Sequence, residues 1–185
     1  MNRRRVLTVA GVLVALFVCF NISWGMFWLP AIASHRGDGI FQNLSHRAGP
    51  FAIPGYCISM PEFDLAKPYQ VEYRLAGLAN IGRKCGVYLA IRDPDDRWGG
   101  DTRSLEGNVH IELVDSQGKV VVSVSGRLGD YIWCGFSDLH ALYQMDRSFF
   151  KPDSKEEYRL RFAYEPDARL AGYKGFMYVW SGGTK

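Results

Sequence analysis

The chain has 185 residues, 48% of them hydrophobic and 22% charged, a length that suits one modest domain with an appendage rather than two full domains. Its 22 Lys and Arg against 19 Asp and Glu give a net charge of +3, and Arg3, Arg4 and Arg5 supply that whole excess. The balanced remainder lacks the basic footprint of a phosphate-binding surface, and 14% aromatic content excludes a disordered chain.

From Val6 to Ala33 no residue is charged. A spanning helix needs about 20 mostly apolar residues to cross roughly 30 Å of hydrocarbon, and Val6 to Leu29 is long enough. Within lipid a helix satisfies its own backbone groups, so the β-branched valines are no obstacle. Arg3 to Arg5 flank one end and no further Lys or Arg follows until Arg36. The positive-inside rule therefore puts the N-terminus in the cytoplasm and the body outside it. Trp24, Phe27 and Trp28 lie near the far end, where amphipathic rings prefer the headgroup level. The alternative is a signal peptide cleaved at Ala31-Ile32-Ala33, which has the small-x-small form. Both readings export the body. The expected organisation is a transmembrane signal-anchor over 1–33, a linker over 34–50 and an extracytoplasmic domain over 51–185. No second long apolar run exists, so the chain is at most single-pass.

Residues 34–50 are polar, glycine-bearing and aperiodic, which is linker composition. They include Arg36-Gly37-Asp38, the integrin tripeptide, without a hairpin to present it. After Pro50 the pattern is β. Tyr69 to Leu75, Val109 to Leu113 and Tyr158 to Glu165 alternate apolar with polar, which places one face of each strand on a core and the other in water. Asp115-Ser116-Gln117-Gly118 separates the second of these from Lys119 to Ser125. Asp first and Gly last make a four-residue hairpin turn. Phe51 to Met60, Cys85 to Arg92, Tyr131 to Phe136 and Phe176 to Ser181 are further strands, with prolines at their ends. Leu139, Leu142 and Tyr143 follow Asp138 at helical spacing and predict one or two turns of helix over 138–145. The fold class is thus mainly β, an antiparallel β-sandwich or jelly-roll-like domain behind one N-terminal transmembrane helix. A lipocalin-like barrel is the structural alternative.

Cys57, Cys85 and Cys134 lie in the body and Cys19 in the apolar segment. In an oxidising compartment one pair of the three could bridge, and Cys85 with Cys134 is the expected pair. Three buried thiols behaving as small apolar residues is the other reading. Residues 92–101, rich in Asp and Gly, form the longest polar excursion of the body. Asp93, Asp95, Asp96 and Asp101 surround Trp98 there, a surface aromatic suited to stacking on a sugar or a partner. The same aspartates could offer oxygen ligands, but two arginines interrupt them, so no metal is expected. His110 and Glu112 share one strand face and would serve a hydrolase as base and orienting carboxylate. No nucleophile elbow, phosphate loop or zinc-ligand spacing accompanies them.

Phe63-Asp64-Leu65-x-Lys67-Pro68-Tyr69, Val109-x-Ile111-x-Leu113 with its turn, Tyr158-x-Leu160-x-Phe162, Pro166-Asp167 and the terminal Gly182-Gly183-Thr184-Lys185 together resemble the uncharacterised β-sandwich domains that bacterial envelope proteins carry behind a single anchor or signal. That resemblance covers most of the body and implies no shared activity or catalytic residue. The expected function is non-catalytic: a membrane-anchored binding protein at the inner membrane, its domain in the periplasm. No cofactor and no nucleic acid are expected, and the partner is another envelope or exported protein. A carbohydrate or cell-wall binding module and an exported hydrolase are the alternatives.

Overall fold

The computed structural model describes residues 11–19, 35–43, 55–81, 84–92, 104–136, 139–143 and 147–181. Among the described residues thirteen strands form two wholly antiparallel sheets. One has five strands in the order β1 (Arg36–Gly37), β5 (Tyr69–Ala76), β12 (Glu157–Tyr164), β7 (Asn108–Val114), β8 (Val120–Arg127). The other runs β2 (Ile40–Asn43), β3 (Tyr56–Ser59), β13 (Lys174–Ser181), β6 (Cys85–Arg92), β10 (Leu139–Tyr143), β9 (Ile132–Phe136). Two short strands complete it, β4 (Phe63–Asp64) on β13 and β11 (Phe149–Phe150) on β6. The domain is a β-sandwich.

Alternation decides which residues meet between the sheets. Tyr73 and Leu75, Val109, Ile111 and Leu113, and Leu160 and Phe162 face inward from the five-stranded sheet. Ile58, Val87, Leu89, Ile91, Met177 and Val179 meet them from the other, in one continuous core. Tyr164 closes the gap by donating its hydroxyl to Leu65 O at 3.0 Å, and burial pushes its pKa up to about 12. The hairpin turn forms as expected. Gly118 donates to Asp115 O at 3.1 Å and adopts φ +83°, open to glycine at no steric cost. Asp115 Oδ1 takes the Gln117 and Lys119 amides, and the register shifts by a bulge at Leu113/Val114.

Three expectations are corrected. Residues 139–143 are strand, not helix: β10 pairs with β6 on one side and β9 on the other. Two ladders outweigh a local helical spacing. The expected linker contributes β1 and β2, which pair with β5 and β3. Asp38 also accepts the Arg74 amide at 2.7 Å, so the tripeptide is bound into the sheet edge rather than presented. Third, the Cys85–Cys134 bridge does not form, and Cys85 is a free thiol. Cys134 is in register with Ala141, and Ala141 with Ala90. The two cysteines are therefore two strands and five residues apart, nearly 20 Å at ~4.8 Å per strand and ~3.3 Å per residue, against a bridging limit of about 7 Å. Cys85 instead lies in the core 3.0 Å from the Tyr56 hydroxyl, and burial raises its pKa.

Residues 11–19 form a helix whose Val12, Leu13, Val14, Leu16 and Val18 are all exposed. Among the described residues no helix is long and apolar enough to cross a membrane.

Candidate functional site

Among the described residues the first strand joins the sandwich at one end, and a cleft lies at the other. Arg36 pairs with Ala76, and Ala76 with Glu157, at the entering end. The eight residues of β12 then run to Tyr164, about 25 Å away at ~3.4 Å per residue. There a cleft of about 720 Å³ opens between strand ends and loops. Ser104, Glu106, Asn108, Arg127, Glu165 and Arg169 line it. Pockets that hold small ligands span roughly 300–1,000 Å³.

Asp167 holds this end together. It is only 7% exposed. Its Oδ2 accepts the Glu106 amide and Arg169 Nη2, both at 2.7 Å. Its Oδ1 accepts the Arg169 amide at 2.8 Å and Nε at 3.0 Å, capping the short 3₁₀ turn Ala168–Leu170. Arg169 also donates to Ser104 O. The Arg169 guanidinium, then the two amides, hold the Asp167 carboxyl well below the usual carboxylate range. The floor is knitted by backbone: Leu128 donates to Gly107 O at 2.7 Å and Glu165 to Asn108 O at 2.8 Å.

On this frame the remaining polar groups are carried by strand ends. Asn108 starts β7 and donates its amide to Glu165 Oε2 at 2.6 Å. Arg127 ends β8 and meets Asp130 at 3.2 Å, with both side chains over half exposed. The rim therefore offers guanidinium, carboxylate and amide groups on rigid elements. Among the described residues that line the cleft none is aromatic.

The positions singled out in the sequence distribute differently. Asp93, Asp95, Asp96, Trp98 and Asp101 lie outside the described residues. The described residues on either side of them are Arg92, which ends β6, and Ser104 on the cleft rim. His110 and Glu112 do not assemble into a base and its orienting carboxylate. The His110 ring is 2.5 Å from Ser125 Oγ, whereas Glu112 takes Arg161 Nη1 at 3.0 Å. Both sit on the open outer face of the five-stranded sheet, where Arg161 also bonds Glu72 at 2.8 Å.

The other outer face is apolar. Tyr88, Ala90, Ala141, Phe176 and Tyr178 form a second cluster there, flanked by Cys57, Phe149 and Trp180. Tyr88 stacks on Tyr178 at 4.9 Å, and Arg92 lies 5.7 Å over the Phe176 ring. Tyr88, Phe176 and Tyr178 are buried, so these rings are packing and not an open stacking platform.

Asp167, Arg169 and Glu165 were legible only as Pro-Asp punctuation. The available signal was an Asp followed two residues later by Arg, a side-chain cap for a tight turn. No family model matches the chain, and no curated protein matches it. Among solved structures it is similar to the crystal structure of a Caldicellulosiruptor saccharolyticus module, CBM27-1, in complex with mannohexaose. The two are 13% identical over 76% of this chain and 79% of that one, with a TM-score of 0.35.

Proposed function

We propose that this chain is a membrane-anchored binding protein of the bacterial envelope, whose extracytoplasmic sandwich holds a segment of another protein in the cleft at its open end. The observation that carries the reading is the cleft itself. Its polar groups stand on the ends of β7, β8 and β12, pre-positioned by the Asp167 lock. Alternating guanidinium, carboxylate and amide groups match a polypeptide's own polar groups, and among the described lining residues there is no ring on which a sugar would stack. The anchor rests on the charge-free run from Val6 to Ala33 and on helix 11–19, which exposes apolar side chains such as Val12, Leu13 and Leu16. Apolar residues exposed around a helix suit lipid, not water.

A photo-reactive residue replacing Glu106 on the rim tests this in the membrane where the chain is made. The expected result is one discrete protein adduct, absent when the same group replaces Glu72 on the sheet face. Purified full-length chain in nanodiscs is expected to ignore glycan arrays and peptidoglycan. Binding to a glycan that is lost in Trp98→Ala would replace this reading with the carbohydrate one.

A further inference from the structure

The two edges of the five-stranded sheet are finished differently. One ends on β1, two residues long, where the Asp38 carboxylate occupies the Arg74 amide. The other ends on β8, which among the described residues pairs with β7 alone. Beyond the bulge at Leu113/Val114 its ladder is regular from Val122 to Arg127, with no proline, lysine or carboxylate along it. Natural sheets usually blunt a free edge with such devices. Leu128 donates to Gly107 O, toward β7. Antiparallel alternation then turns the N–H and C=O of Arg127, Ser125 and Ser123 outward.

A row of charges crosses the outer face of this sheet and stops short of that edge. Glu72 on β5 bonds Arg161 on β12, and Arg161 bonds Glu112 on β7. Glu112 is in register with Ser123, the neutral residue at the edge. The alternating signs would be continued by a cation lying opposite Ser123.

We propose that the free edge of β8 pairs antiparallel with β8 of a second copy of this chain, about a two-fold axis at Ser125, to give a continuous ten-stranded sheet. A two-fold perpendicular to the sheet keeps outer-face residues opposite outer-face residues. Centring it on Ser125 is the register that engages all three outward-facing residues. Ser125 meets its own copy, and Ser123 meets Arg127 of the second copy. That arginine then extends the row Glu72, Arg161, Glu112 with the missing positive charge. On the inner face Val124 meets Gly126, which carries no side chain. No like charges stand directly opposite. A strand-edge contact is small, so the dimer is weak, with dissociation at roughly tens of micromolar.

The test is mass by sedimentation of the full chain in detergent, up to about 200 µM. Wild type is expected to pass from monomer to dimer. Ser123→Pro removes an outward N–H, which β7 does not use, and should raise the dissociation constant about tenfold or more with the fold retained. Ser125→Lys, which sets like charges across the axis, should do the same. Arg127→Glu should weaken the dimer, and adding Ser123→Arg should restore it, because an arginine at 123 then faces the glutamate at 127 of the second copy. A wild type that stays monomeric overturns the proposal, as does a dimer that Ser123→Pro and Ser125→Lys both leave intact. A monomeric wild type that instead binds an extended peptide along β8 overturns it in favour of a foreign strand. All these readouts are masses, so they stand or fall apart from what the cleft binds.

Discussion

The two sheets treat their outer faces in opposite ways. On the five-stranded sheet Arg161 lies between Glu72 and Glu112, with Arg74 bonded to Glu157 nearby, all partly in solvent. On the eight-stranded sheet Tyr88, Phe176 and Tyr178 occupy the equivalent outward positions and are buried. Alternation in a sequence therefore reports a face in water, and its absence reports a strand covered twice.

That difference can be broken by truncating one outward residue on each sheet. Tyr88→Ala is expected to cost about 3–4 kcal/mol in urea unfolding, because it empties a stacked, buried site. Arg161→Ala is expected to cost under about 1 kcal/mol and less as salt rises, since its side chain is 45% exposed. Equal costs would mean the two faces do not differ.

Between those extremes stands Asp167→Ala, at about 2–3 kcal/mol, because four hydrogen bonds lose their acceptor at once. Its pH dependence has a fixed sign. The folded carboxyl titrates below the unfolded value of about 3.9, so its contribution is complete above that pH and fades as pH falls beneath it. The gap between wild type and Asp167→Asn should accordingly narrow below about pH 4. A gap that widens there would contradict the lock.

Gly86→Ala should follow, at about 1–2 kcal/mol, since a Cβ there would collide with the Tyr88 ring. A neutral result would show that this ring has room to move. The smallest expected effect is that of reductant. Cys85 is unbridged, so reduction should leave the melting temperature within about 1 °C.

Much of the sandwich was legible because its strands carry their own period. Tyr69 to Leu75 and Tyr158 to Glu165 alternate, and β5 and β12 occupy those positions almost residue for residue. Asp115 and Gly118 announced their turn for a local reason, side-chain acceptance and positive φ. Residues 139–143 misled because Leu139, Ala141 and Tyr143 also fit a two-residue period, and only pairing with β6 and β9 selects it. Arg36–Gly37 and Ile40–Asn43 read as linker because short edge strands need few apolar residues and take their order from longer neighbours. The cleft was not legible at all. Glu106 and Asp167 meet across 61 residues of chain, and nothing local to either segment records the other.

The claim that the cleft is the working surface has one direct test. The protein captured from Glu106 is titrated against full-length chain in nanodiscs, wild type and the double variant Glu106→Lys with Glu165→Lys. Both side chains are exposed and lie outside the Asp167 carboxylate, so the melting temperature should hold within about 2 °C. The account predicts binding at least about tenfold weaker in the variant. Unchanged affinity in a folded variant would contradict it.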